Sequence, residues 1–190
     1  MQHCSLADVD GERLGTAVRC HGLTDELGTE TVAINHYRIP AGEGLPAGLH
    51  AHMDQEELFV VLEGVAAFET MDGERTVEAG EAIRFAPGEF QSGGNAGDGE
   101  LVVLAIGAPR DSEDIRLPAT CPDCGHSTLR LSTGGAELTF VCPDCGGEFV
   151  PEECPDCGSE QMAMTLDGEG EPVAACRQCG QTFAEPPLRR

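Results

Sequence analysis

Four CxxC pairs crowd the last third of this 190-residue chain, and they constrain its folding more than any other feature. They read Cys121-Pro-Asp-Cys124-Gly, Cys142-Pro-Asp-Cys145-Gly, Cys154-Pro-Asp-Cys157-Gly and Cys176-Arg-Gln-Cys179-Gly. A turn of this kind aims two thiolates at one point, and the glycine takes the left-handed backbone that lets N–H groups approach the sulfurs. Between the first two pairs lie 17 residues, GHSTLRLSTGGAELTFV, with two β-like runs about a Gly-Gly turn, which predicts a hairpin. Between the last two lie 18 residues, in which QMAMTL and PVAAC flank DGEGE. Each hairpin fits between its own pairs. Sequential pairing is therefore predicted, with Cys121, Cys124, Cys142 and Cys145 on one ion and Cys154, Cys157, Cys176 and Cys179 on a second. The competing arrangement is cross-braced, the first pair joining the third. Four thiolates on Zn²⁺ leave no open coordination position, so two structural Zn²⁺ ions are expected. A redox role is disfavoured, because no thioredoxin-like βαβ pattern surrounds the pairs.

The layout repeats after about 33 residues and resembles tandem (double) zinc ribbons. Such small modules have little apolar core and fold only with their metal. Zinc ribbons often bind nucleic acid, but that needs a cationic footprint. From Ala119 onward there are 12 acids, 4 arginines and no lysine. Eight thiolates with two Zn²⁺ take the formal charge of this part from −8 to −12. Nucleic acid is disfavoured as a partner, and a protein partner docking on the ribbons is the better expectation. Cys4 and Cys20 lack a CxxC context and read as small buried hydrophobes.

Acidity extends along the whole chain. The net charge is −23, and all 11 basic residues are arginine. Dispersed acid excess without lysine resembles proteins of salt-loving organisms, where dense carboxylates hold water while screening lengths shrink to about 3 Å at 1 M salt. The N-terminus has no basic start followed by an apolar run, and no stretch approaches the ~20 apolar residues of a membrane span, so a soluble cytoplasmic protein is expected.

The first part of the chain is built differently. TVAINHYRIP, LFVVLEGVAAFET, RTVEAGEAIRF and ELVVLAIGA are alternating or β-branched runs, separated by turn clusters such as AGEGLPAG and APGEFQSGGNAGDG. That pattern predicts an all-β barrel or sandwich, with at most one helical turn at TDEL. GAPRDSEDIRLPAT is polar and proline-bounded and reads as a linker. The expected organisation is a barrel domain over 1–110 with its core at 30–110, a linker over 111–119, and ribbons over 120–150 and 151–184 within 120–190.

The chemistry of the barrel is concentrated in GLPAGLHAHMDQEELFVVLEG, Gly44 to Gly64. His50 and His52, two apart, project from one face of a strand, and Glu57 opens the next run. Two imidazoles and a carboxylate suit a divalent first-row metal with open positions, whether Fe(II), Mn, Zn or Ni. Gly44, five residues, His50-Ala51-His52, four residues, Glu57, six residues and Gly64 resemble the first motif of the cupin superfamily. The second motif is matched less closely by Gly80 and Pro87-Gly88, with Gln91 at the family's metal-binding His position.

The resemblance, to a single-domain conserved-barrel cupin, implies a double-stranded β-helix barrel with a metal in its mouth. If Gln91 ligates, the set is His50, His52, Glu57 and Gln91; if not, three ligands leave further open positions. A metal-free barrel in which these groups bond one another is the competing reading. Pocket candidates are Tyr37, Arg38, Phe59, Phe68, Phe85 and Phe90, of which the aromatics also suit core packing. The resemblance implies a small oxygen-bearing ligand or substrate, with oxygenase, isomerase or decarboxylase chemistry as the enzymatic options and ligand sensing as the alternative. It also implies a homodimer paired through sheet edges.

Overall fold

A computed structural model of the protein describes residues 1–15, 17–135 and 137–190. The chain is β-rich throughout. Strands β1 (Glu12–Leu14) and β2 (Val18–Gly22) precede a single helical turn, α1 (Thr24–Leu27), and β3 (Ala33–Ile39). Then come β4 (Ala51–His52), β5 (Glu56–Glu63), β6 (Val65–Thr70), β7 (Arg75–Glu78), β8 (Ala82–Phe85), β9 (Gln91–Asn95) and β10 (Leu101–Ala108). One sheet runs β1-β2-β3-β10-β5-β8, and a second, β7-β6-β9, closes against it. The continuous apolar run of β10 suits its central place, paired on one edge with β3 and on the other with β5.

Two of the alternating runs each turn a corner between the sheets. LFVVLEGVAAFET divides at Gly64 into β5 and β6, and RTVEAGEAIRF divides into β7 and β8. Period-two alternation survives both corners. Phe59 and Val61 therefore face Ala66 and Phe68 across the barrel, with Val77, Phe85, Leu101 and Val103 completing the core. The rings of Phe59, Phe68 and Phe85 meet at 5.0, 5.5 and 6.0 Å, so these three pocket candidates are core residues.

The second half follows as β11 (Ile115–Leu117), β12 (Leu129–Ser132), β13 (Thr139–Val141) and β14 (Glu148–Pro151). It ends with β15 (Met162–Leu166), β16 (Pro172–Cys176), β17 (Thr182–Phe183) and β18 (Leu188–Arg189). The two expected hairpins are β12–β13 and β15–β16, each between its own CxxC pairs. The interval 111–119 contains β11, which pairs with β12 on one side and with β4 of the barrel half on the other. The sheet β18-β14-β13-β12-β11-β4 consequently spans both halves of the chain. A second apolar cluster does the same, joining Leu49 to Leu117, Cys121, Leu129, Phe140, Cys142, Phe149 and Met164. No helix is long and apolar enough to cross a membrane among the described residues.

Candidate metal centres

The four CxxC turns share one backbone design. The N–H of each following glycine (Gly125, Gly146, Gly158, Gly180) bonds the carbonyl of the pair's first cysteine at 2.8–3.0 Å, with φ between 71 and 76°. That conformation favours glycine and keeps the two sulfurs of a pair on one side. The first and second pairs converge, as do the third and fourth. Sulfur separations are 3.5 Å for Cys124–Cys142, 3.7 Å for Cys121–Cys145, 3.6 Å for Cys157–Cys176 and 3.7 Å for Cys154–Cys179. A tetrahedron of thiolates at Zn–S of about 2.3 Å has edges of about 3.8 Å, so both clusters fit such an ion. The convergence follows sequential pairing, not the cross-braced arrangement. Desolvation pushes the Cys142 thiol up, but the backbone N–H groups of Cys145 and Asp144, together with the sulfurs of Cys124 and Cys121, bring it down to about 6. The N–H of Cys179 does the same for Cys176, also lowered to about 6.

In the barrel, His50 precedes β4, His52 lies on it, Glu57 is on β5 and Gln91 opens β9. His50 and Gln91 face each other directly, exchanging backbone bonds of 3.1 and 2.8 Å. The ligand atoms of His50, His52 and Glu57 all lie within 4.8 Å of one another. His50 Nδ1 is 2.8 Å from the carbonyl of Gly48, to which it can donate, leaving Nε2 as the free acceptor. The Gln91 amide donates to Glu57 Oε2 at 2.9 Å, while its Oε1 is buried without a partner, as is Nδ1 of His52. Burial holds both histidines neutral: His52 falls to about 4, through burial and then the neighbouring His50, and His50 is lowered by burial against its bond to Gly48. Burial pushes Glu57 up, opposed by the Gln91 hydrogen bond.

This arrangement fits a cation. Two neutral imidazoles, a carboxylate destabilised by burial and an amide oxygen with no donor form an electron-rich cluster without a counter-charge. His52 approaches Glu57 at 3.6 Å but is held neutral, so it does not supply that charge. The His52 and Glu57 side chains keep 13% and 19% of their exposure, which leaves an approach from outside.

The other pocket candidates separate. Tyr37 faces the barrel interior and packs against its core, its hydroxyl pushed up by burial and then by neighbouring Cys20 and Glu57. Arg38 does not face the mouth: it is exposed and pairs with Glu100 on the barrel's outer surface. Phe90 packs against the cluster shared with the cysteine modules, not the barrel core. Gln55, which no sequence motif marks, is buried and donates to the carbonyls of Pro109 and Arg110 at 2.6 and 3.4 Å. Cys20 is half-buried, faces Tyr37 in register and has its pKa raised by burial. A cleft of about 1120 Å³ lies between the two modules, among Leu131, Phe140, Val150, Met162 and Met164, and none of the barrel ligands lines it.

Residues 35–107 match the family model of the cupin domain. Solved structures of low sequence identity share the fold. A sugar phosphate isomerase from a cupin superfamily, from Silicibacter pomeroyi, is 18% identical with a TM-score of 0.52, over 77% of this chain and 89% of that one. A "predicted oxalate decarboxylase" from Thermotoga maritima is 21% identical with a TM-score of 0.50, over 55% of this chain and 96% of that one. The architecture is thus a cupin double-stranded β-helix barrel followed by two small Cys4 hairpin modules that fit zinc ribbons.

Proposed function

We propose that the cupin barrel holds one divalent first-row metal through His50, His52, Glu57 and Gln91 and acts on a small oxygen-bearing molecule there. The two cysteine clusters hold structural zinc. The observation that carries the reading is the buried, partnerless Oε1 of Gln91, set in a cluster whose His50, His52 and Glu57 ligand atoms lie within 4.8 Å. A carboxamide oxygen completes the set as a neutral donor, so Gln91 substitutes for an imidazole without adding charge.

A bound metal would supply Lewis acidity toward a carbonyl, hydroxyl or carboxylate oxygen of the ligand. The chain's residues do the remainder. Gly48 holds the His50 tautomer by accepting from Nδ1, and Gln91 orients the Glu57 carboxylate from one side. Tyr37, kept protonated by burial, presents a hydroxyl to the barrel interior. Phe59, Phe68 and Phe85 pack together in the barrel's apolar core. Sugar phosphate isomerase and oxalate decarboxylase, the descriptions carried by two structural neighbours, both concern oxygen-rich small molecules, and the ligand class proposed here is the same.

Metal counting tests the reading. Native full-length protein should contain three metals per chain, two resisting chelation longer than the third. His50→Ala should release the labile one and keep two zinc ions. Two metals in the native protein, or three in His50→Ala, would sink the assignment.

A further inference from the structure

The segment that carries both barrel histidines is fastened from outside by both cysteine modules. Along it the side chains alternate: His50 and His52 turn to the barrel, while Leu49 and Ala51 face away, each fully buried. Leu49 packs in the cluster of Cys121, Leu129, Cys142 and Met164. Its N–H donates to the carbonyl of Met164 in the second module at 2.8 Å, and Gly48 bridges Met164 in parallel. Gly48 has φ +67°, and a Cβ there would stand 2.7 Å from Met164 O. The carbonyl of this same Gly48 is the partner of His50 Nδ1.

The interval 111–119, which pairs with the first module through β12, holds the other histidine. His52 pairs with Ile115 across β4 and β11, and β11 continues into β12. Beyond it, the N–H of Met53 donates to Asp114 O at 2.8 Å. Asp54 accepts from Ser112 Oγ at 2.6 Å and from the Glu113 N–H at 2.8 Å. A further clamp ties the barrel to β15, where Glu69 accepts from Thr165 Oγ1 at 3.0 Å and from the Leu166 N–H at 3.1 Å.

We propose that the two modules are working parts of the barrel's metal site. The second positions His50 through Gly48 and Leu49, the first positions His52 through β11, and the affinity of the barrel for its metal depends on both. The inference rests on the barrel reading above. Gly48, Met164 and Glu69 are positioning residues: none offers a ligand, but Gly48 and Met164 hold the backbone leading into His50, and Glu69 fixes β15, which carries Met164. Groups that orient metal ligands typically carry about 10- to 100-fold of affinity.

Glu69→Ala provides the test, because Glu69 touches neither a cysteine nor a barrel ligand. Full-length protein with zinc in its cysteine clusters is titrated with cobalt(II), which reports on the barrel through its ligand-field spectrum. Glu69→Ala should weaken cobalt binding about 10-fold or more and shift that spectrum, with both zinc ions retained. Glu69→Gln, which keeps an oxygen for the Leu166 N–H, should recover most of the affinity. Gly48→Ala, which forces β15 away, should lose at least as much as Glu69→Ala. Wild-type affinity and spectrum in both alanine variants, beside a wild type that binds cobalt in the barrel, overturn this inference alone. A wild type that takes up no barrel cobalt, with His50→Ala indistinguishable from it, overturns the metal reading and this inference together.

Discussion

His36 lies on β3 among charged and titratable neighbours. Its ring is 5% exposed, meets His21 edge-on at 5.7 Å, and has no partner for Nδ1. Burial, then the charges of His21 and Arg38, hold its pKa below the ordinary 6.5. As pH falls through 6.5 the unfolded chain takes up this proton before the folded one does. Stability is therefore full above that pH and declines below it until the folded ring also protonates. His36→Leu should remove part of the fall in urea midpoint between about pH 7 and pH 5, the remainder belonging to the other histidines lowered by burial, His50 and His52. A fall as steep as wild type would acquit His36. Two apart in the sequence, His36 and Arg38 share one face of β3. What separates the two is the cover over each: His21 packs on His36, whereas Arg38 reaches Glu100 in solvent.

At the scale of elements, the barrel depends on aromatic packing between two sheets. Phe68 on β6 is fully buried and touches both Phe59 on β5 and Phe85 on β8. Phe68→Ala should cost about 3–5 kcal/mol in denaturant unfolding, with zinc content unchanged. A loss under about 1 kcal/mol would mean that the core collapses into the space. Most of these strands were legible, because alternation and turn residues are local signals. The corners at Gly64 and between β7 and β8 were not: period two continues through them, and only the opposing sheet shows where the chain changes layer. Nor was β11, whose three residues acquire strand geometry from partners on both sides.

For the molecule as a whole, charge and connectivity dominate. A net charge of −23 without lysine repels itself in the folded state, and the surface pairs Arg84–Glu56 and Arg110–Asp25 offset little of it. The thermal midpoint should rise from low salt to about 1 M NaCl, where screening shortens to about 3 Å. A flat or falling midpoint in calorimetry would show that self-repulsion is not limiting. Connectivity works against independent halves, since one sheet and one apolar cluster run from the barrel histidine strand into the cysteine modules.

Much of this protein was determined by its sequence alone: all-β architecture, the barrel, the grouping of eight cysteines and the nearness of His50, His52 and Glu57. Each is a matter of short-range spacing, in which two or four residues decide a face or a turn. Only the tertiary structure decided that Gln91 keeps an unpartnered oxygen beside Glu57, that Arg38 points away, and that Phe90 belongs to the modules. It also decided what lies behind the histidine strand. Alternation requires Leu49 and Ala51 to face something, but contacts between residues as distant as Leu49 and Met164 leave no trace in local spacing.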